Sequence, residues 1–194
     1  MQHINHYYTS IHGWFQFEVL YKHMVDQCDP SIPYHFVEVG VWKGKSAVFM
    51  ATEINNQGKN VKFDCIDTWL GSEEHFDKTN PSYEPLVEIP DGLFKHFLQN
   101  IRPVNHIINP IRMTSIEASK LYEDNSLDFV LIDAAHDYEN VKEDIKHWFP
   151  KVKKGGVMAG DDYHYTWPGV VKAADEAFGN KIQVVGSTWY VEKI

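Results

Sequence analysis

At 194 residues, with 43% hydrophobic and 23% charged side chains, the chain is long enough for one sizeable core and too apolar to be disordered. A formal net charge of −9 lacks the basic footprint that non-specific nucleic-acid binding needs, so no nucleic-acid partner is expected. Two cysteines argue against a disulfide framework, and no apolar run approaches membrane-spanning length. Met1-Gln2-His3-Ile4-Asn5-His6 has no charged-then-apolar signal pattern, so a cytoplasmic protein with no membrane partner is expected.

Residues 10–28 carry Trp14, Phe17, Val19, Leu20, Met24 and Val25 near helical spacing, with Ser10 as a plausible N-cap, inside an N-terminal helical extension over 1–33. Asp29-Pro30 and Pro33 end it. A buried strand follows over 36–39. It carries Glu38 and turns at Gly40 through Gly44 into a helix over 45–55. The second strand, 61–66, is closed by Asp67. Residues 68–90 have no clean period, are polar and are broken by Gly71, Pro81, Pro85 and Pro90. This is long for a loop and is read as a lid.

Asp91 can cap a helix bearing Leu93, Phe94, Phe97, Leu98 and Ile101. A third strand spans 106–112, and Ser115 caps a short helix to Leu121. The apolar strand 128–132 ends in Asp133, and a helix over 138–149 places Val141, Ile145 and Trp148 on one face. Lys153-Lys154-Gly155-Gly156 is read as a turn into strand 157–160, which ends in Asp161-Asp162. A helix over 168–178 and a hairpin made of 182–185 and 189–191 close the chain. No repeats or linkers interrupt it, so one domain over 1–194 is expected.

Strands alternating with helices predict an α/β fold: a doubly wound, mostly parallel sheet of seven strands with a C-terminal antiparallel hairpin. In such a sheet the polar strand ends, Glu38/Gly40, Asp67, Asp133 and Asp161/Asp162, share the carboxyl edge where ligands bind. A diphosphate cofactor suits this edge poorly. The glycines follow G-x-x-x-G without the middle glycine of G-x-G-x-x-G, Trp42 and Lys43 fill the turn, and Glu38 would repel the phosphates.

Glu38-x-Gly40-x-x-x-Gly44, Asp67 closing strand two, and Asp128-Phe129-Val130-Leu131-Ile132-Asp133 resemble the class I S-adenosylmethionine-dependent methyltransferases. Asp133-Ala134-Ala135-His136-Asp137-Tyr138-Glu139, Gly155-Gly156-Val157 and Gly160-Asp161-Asp162-Tyr163 resemble the branch of metal-dependent sugar and natural-product O-methyltransferases. The resemblance runs from about Phe36 to the C-terminus. It implies a Rossmann-like methyltransferase fold, S-adenosylmethionine as cofactor and methyl transfer to a small-molecule or glycan hydroxyl. By the same resemblance, Glu38, Gly40 and Gly44 serve the methionine part of the cofactor. Asp67 takes the ribose hydroxyls, with Trp69, Ser115 and Asp133 nearby. Glu38 as a structural acid, Asp67 as a turn cap and Ser115 as a helix cap remain open alternatives.

Asp133, Asp161 and Asp162 end adjacent strands, and three carboxylates there would repel without a cation or protons. An oxygen-rich open site suits Mg²⁺, or Mn²⁺ or Ca²⁺. Many sugar-modifying members have an acid two positions after the first metal ligand. Here that position is Ala135, and His136 is the better-placed base of His136 and His164, since neutral imidazole accepts protons near pH 7. Asp133 and His136 are therefore the expected catalytic pair. Of the aromatic residues Trp14, Trp69, Tyr138, Tyr163, Tyr165 and Trp167, Tyr163 and Trp69 are expected at the site. A non-catalytic relative that kept the fold and a metal hydrolase are the competing functions, and a homo-oligomer is left open.

Overall fold

The computed structural model describes residues 2–194. Along the chain run α1 (Glu18–Asp26), β1 (Tyr34–Val39), α2 (Lys45–Gln57), β2 (Val61–Asp67), α3 (Glu73–Phe76), α4 (Gly92–Asn100) and β3 (Ile108–Arg112). Then follow α5 (Ser115–Ser119), β4 (Leu127–Ile132), α6 (Tyr138–Trp148), β5 (Val152–Gly160), α7 (Pro168–Phe178), β6 (Gln183–Val185) and β7 (Thr188–Glu192).

Two-residue alternation gives the central strands two apolar faces. Phe36, Phe129 and Leu131 enter one core with side chains of α1, α2 and α4, whereas Val37, Val39, Val130 and Ile132 enter the other with α5, α6 and α7. A sheet apolar on both faces is stable only when helices cover both, which is the doubly wound arrangement expected. The seven strands lie in the order β3-β2-β1-β4-β5-β7-β6. β7 runs antiparallel to both its neighbours and the other pairs are parallel. The order reverses between β1 and β4, and a crevice opens at the carboxyl ends of strands at such a switch point. Among the described residues no helix is long and apolar enough to cross a membrane.

The N-terminal extension departs from the expected single helix. Ser10 belongs to one 3-10 turn, Gly13 adopts φ 144°, and α1 begins only at Glu18. Ile11, Phe15 and Phe17 are buried, so this irregular arm is packed, with Phe15 against Phe17, Tyr21 and Phe49. β5 starts at Val152, so Lys153 to Gly156 lie within it. The departure from regular geometry there is a register slip opposite Leu127 and Phe129, with Gly155 at φ 76°. Thr114, not Ser115, caps α5, and Asp91 stands at the N-cap of α4 but gives its carboxylate to Arg112.

One buried charge ties three strands together. Asp64 of β2 is 1% exposed and accepts from Tyr122 Oη at 2.9 Å and Asn109 Nδ2 at 2.8 Å, with His35 Nε2 at 2.7 Å. Burial opposes its ionisation, but these partners prevail and bring its pKa down to about 2. A carboxyl lowered in the folded state contributes fully above its unfolded value, about 3.9, and loses that contribution as pH falls through the folded one. Asp64→Ala should therefore cost about 2–4 kcal/mol near neutral pH, lowering Tm by roughly 5–15 °C. The deficit should shrink on acidification toward pH 2; a neutral substitution at pH 7 would show that the network adds nothing.

Candidate active site

At the β1–β4 switch point the strand ends are fastened to one another. Gly40 N donates to Ile66 O at 2.8 Å, Asp133 N to Val39 O at 2.8 Å and Asp161 N to Ile132 O at 3.1 Å. Above this edge opens a cavity of about 1210 Å³, larger than the roughly 300–1,000 Å³ typical of a single small ligand. Gly40, Asp67, Met113 and Ser115 line it on one side, and Asp133, His136, Asp161 and Asp162 on the other. Two ligands side by side fit this volume.

Gly40 and Gly44 are glycine for packing reasons. A Cβ at Gly40, whose φ is 89°, would stand 2.0 Å from the carbonyl oxygen of Asp133. At Gly44, φ 83°, it would meet the Phe97 ring at 2.9 Å. Gly40 faces the cavity and Gly44 does not; Gly44 seats α2 on α4.

Asp67 fastens two loops. Its Oδ2 accepts from Trp42 N at 2.8 Å and its Oδ1 from Trp69 N at 2.7 Å. Both tryptophans have positive φ, 48° and 51°, a strained backbone for large side chains. Trp69 Nε1 returns a bond to Trp42 O at 2.9 Å. Burial raises the Asp67 pKa and the backbone N–H groups partly offset it. A carboxylate oxygen has two acceptor sites, so each can accept one further hydrogen bond. Trp69 itself is 2% exposed, packs against Phe94 and Phe97, and does not line the cavity.

Glu38 lies beneath the site. It is fully buried, with Oε1 accepting from the Ser46 hydroxyl. Oε2 and the adjacent Tyr21 hydroxyl make no hydrogen bond of good geometry among the described residues. Burial pushes its pKa up to about 7, against the pull of Ser46 and Tyr21, and the charge of Asp67 adds to the rise. Ser115 reaches the cavity wall, but its hydroxyl is engaged by Asp144 and by Trp148 Nε1 at 2.9 Å.

At the ends of β4 and β5, ligand atoms of Asp133, His136 and Asp162 lie within 4.8 Å of one another. His136 Nε2 is 2.8 Å from Asp162 Oδ2, and its ring lies tilted against that of Trp167 with centroids 4.2 Å apart. Asp162 holds this position with φ 60°. Burial, then the charges of Asp161 and Asp162, lift the Asp133 carboxyl well above the usual range. The expected triad of aspartates thus differs in one member. Asp161 turns aside, its Oδ1 accepting from Ser187 Oγ at 2.8 Å and Thr188 Oγ1 at 3.0 Å, and His136 completes the cluster. Tyr163 also turns away, donating to Asp175 Oδ1 at 2.6 Å, while His164 and Trp167 line the cavity.

Two further segments contribute to the cavity. Gly13, Trp14 and Gln16 of the N-terminal arm line the cavity, with Lys45 Nζ bound to Gly13 O at 2.8 Å. The segment 68–90, read from the sequence as a lid, is folded onto the β1–α2 loop, and its Ser72, His75 and Asn80 line the cavity. His75 stacks on Trp42 at 4.1 Å, and Glu84 forms a buried ion pair with Lys43.

A family model described as a methyltransferase domain matches residues 37–163, which span all of these strand ends. The chain belongs to this methyltransferase family. It carries a class I S-adenosylmethionine-dependent methyltransferase domain on the fold described. Among solved structures it is similar to the O-methyltransferase NovP, with 18% identity and a TM-score of 0.66 over 91% of this chain and 78% of that one. It is also similar to the calicheamicin methyltransferase CalS11, with 16% identity and a TM-score of 0.61 over 90% and 78%. The mycinamycin-pathway methyltransferase MycE, solved with Mg and SAH, shows 16% identity and a TM-score of 0.52, over 91% of this chain and 45% of that one. An uncharacterized protein, y4gI of Sinorhizobium fredii, is 28% identical over 130 residues. The match takes in 67% of this chain but only 13% of that much longer relative.

The buried Glu38 gives a measurable pH signature. A carboxyl raised in the folded state contributes fully below its unfolded pKa, about 4.3, and loses that contribution as pH rises through the folded value. Relative to Glu38→Gln, the wild type should lose about 2–3 kcal/mol of stability between about pH 5 and about pH 8. Urea melts of both proteins at the two pH values measure this; a constant difference would contradict a buried carboxyl whose desolvation outweighs its hydrogen bonds.

Proposed function

We propose that this chain is an S-adenosylmethionine-dependent O-methyltransferase for a small hydroxylated acceptor, a sugar or glycan, assisted by a divalent cation at Asp133, His136 and Asp162. The observation that carries the reading is the convergence of these three groups on the cavity that also exposes Gly40 and Asp67. Two carboxylates and an imidazole are a fitting donor set for a divalent cation, and the imidazole favours Mn²⁺ over Mg²⁺. Burial first, and then the neighbouring carboxylates, disfavour the charged form of Asp133, and a cation there would favour it. A structural neighbour solved with Mg and SAH supports the same combination. When bound, the cation would supply positive charge against which an acceptor hydroxyl loses its proton more readily.

The chain's own groups account for the rest. The acids Asp67 and Asp133 favour a sulfonium cation and disfavour a diphosphate. Gly40 presents bare backbone to the cofactor, Asp67 accepts from the ribose hydroxyls and Met113 flanks the adenine. An acceptor held beside Asp133 and His136 faces the cofactor across one continuous cavity, so alignment for in-line displacement supplies most of the acceleration. An imidazole that gives Nε2–H to Asp162 keeps one acceptor, Nδ1, which holds the cation; without the cation the same atom would take the hydroxyl proton.

Calorimetry with S-adenosylhomocysteine, with and without Mn²⁺ or Mg²⁺, tests both parts. Asp67→Ala should weaken binding of this analogue by about tenfold to a hundredfold, the loss of charge-assisted hydrogen bonds worth about 1.5–3 kcal/mol. Unchanged affinity would leave Asp67 as a loop fastener only. Asp162→Asn should abolish cation binding yet leave the analogue bound, and excess chelator should do the same. Full methyl transfer in chelator would reject the cation and leave His136 with the chemistry.

A further inference from the structure

Behind the acid cluster is a second, much smaller void of about 10 Å³, room for one water-sized centre. Ile132, Val141, Val170 and Trp189 form its apolar walls, and Asp133, His136 and Asp161 also border it. Trp189 is 1% exposed, and its Nε1–H has no hydrogen-bond partner among the described residues. Buried donors left unpaired are costly and rare, so each calls for a partner.

The sequence sets this indole in place deliberately. β7 pairs Trp189 opposite Gly160, the residue before Asp161. A Cβ at Gly160 would stand 2.5 Å from Trp189 Nε1, so a glycine there is what lets the ring slide under the end of β5. Phe178 packs at 5.6 Å and fixes the ring further. On the same turn, Ser187 and Thr188 both donate to Oδ1 of Asp161. Ser187, Thr188 and Trp189, entering β7, therefore reach the ends of β4 and β5 together: the first two bond Asp161 directly, and the third borders the void with an indole N–H that has no partner.

We propose that this void binds one structural water, which accepts from Trp189 Nε1–H and donates to the acid cluster, making Trp189 a positioning residue for the cluster. A water with one donor below and acidic acceptors above makes the three hydrogen bonds usual for a buried water. Trp189 touches neither cofactor nor acceptor; its effect passes through the orientation of the acids, as outer partners orient metal ligands. This effect on cation binding rests on the cation reading above, whereas the water site does not.

The site is tested on the wild-type protein without added metal. The Trp189 indole proton, assigned through its contacts with the Ile132 and Val170 methyls, should show cross-relaxation with a long-lived water. Absence of that signal would overturn the proposal. Trp189→Phe keeps an apolar ring but removes the donor and part of the ring volume. Its Mn²⁺ affinity, followed by electron paramagnetic resonance, should fall by about tenfold or more, with S-adenosylhomocysteine affinity unchanged. Wild-type Mn²⁺ affinity in the folded variant would overturn the positioning role. Should the variant not fold, the indole–water signal still decides the site. Should the wild type bind no Mn²⁺, the cation reading fails and the water is judged by that signal alone.

Discussion

The site depends on how closely the ends of β1 and β4 approach each other. Gly40 rests against the Asp133 carbonyl in space that a single methyl group would overfill, and Asp133 N is bonded to Val39 O. These two strands are neighbours because the sheet reverses its order between them. The contact brings the β1–α2 turn and the first acid of the Asp133, His136 and Asp162 cluster together at one cavity. A looser junction would leave two separate clefts, and methyl transfer needs its partners in line in one. Glycine at this position thus serves the protein's own backbone first and any ligand second.

The same edge concentrates negative charge, and the chain handles each acid differently. Asp67 is held by backbone N–H groups of two strained loops, Asp161 by the hydroxyls of Ser187 and Thr188, and Asp162 by His136. Glu38 is compensated only by Ser46 and Tyr21, and its pKa rises accordingly. The Asp133 carboxyl is raised well above the usual range, by burial first and then by the charges of its neighbours. A site with this charge is prepared for cationic partners, which is consistent with a sulfonium cofactor and a divalent cation.

Much of this was legible in the sequence because the strands are short apolar runs closed by acids. Gly40, Asp67, Asp133 and Asp162 stand where strand ends place them, and strand order follows from alternation with helices. Side-chain direction just past a strand end was not legible. There the backbone leaves the two-residue period, so Asp161 could face the β7 turn and His136 the cluster. Trp69 and Tyr163 misled for the same reason: an aromatic residue after a strand can pack into the core or onto a helix as well as wall a cavity. Trp14 was read on a helical face because apolar spacing hid the effect of Gly13. The arm is irregular, and Trp14 stays 61% exposed at the cavity.

The most direct test of one shared cavity is a crystal structure with S-adenosylhomocysteine and Mn²⁺, using anomalous scattering to locate the metal. The account predicts the analogue against Gly40 and Asp67, and a manganese peak among Asp133, His136 and Asp162 in the same cavity. An analogue bound at Gly40 and Asp67 with manganese absent from that cluster, or found elsewhere on the protein, would contradict it.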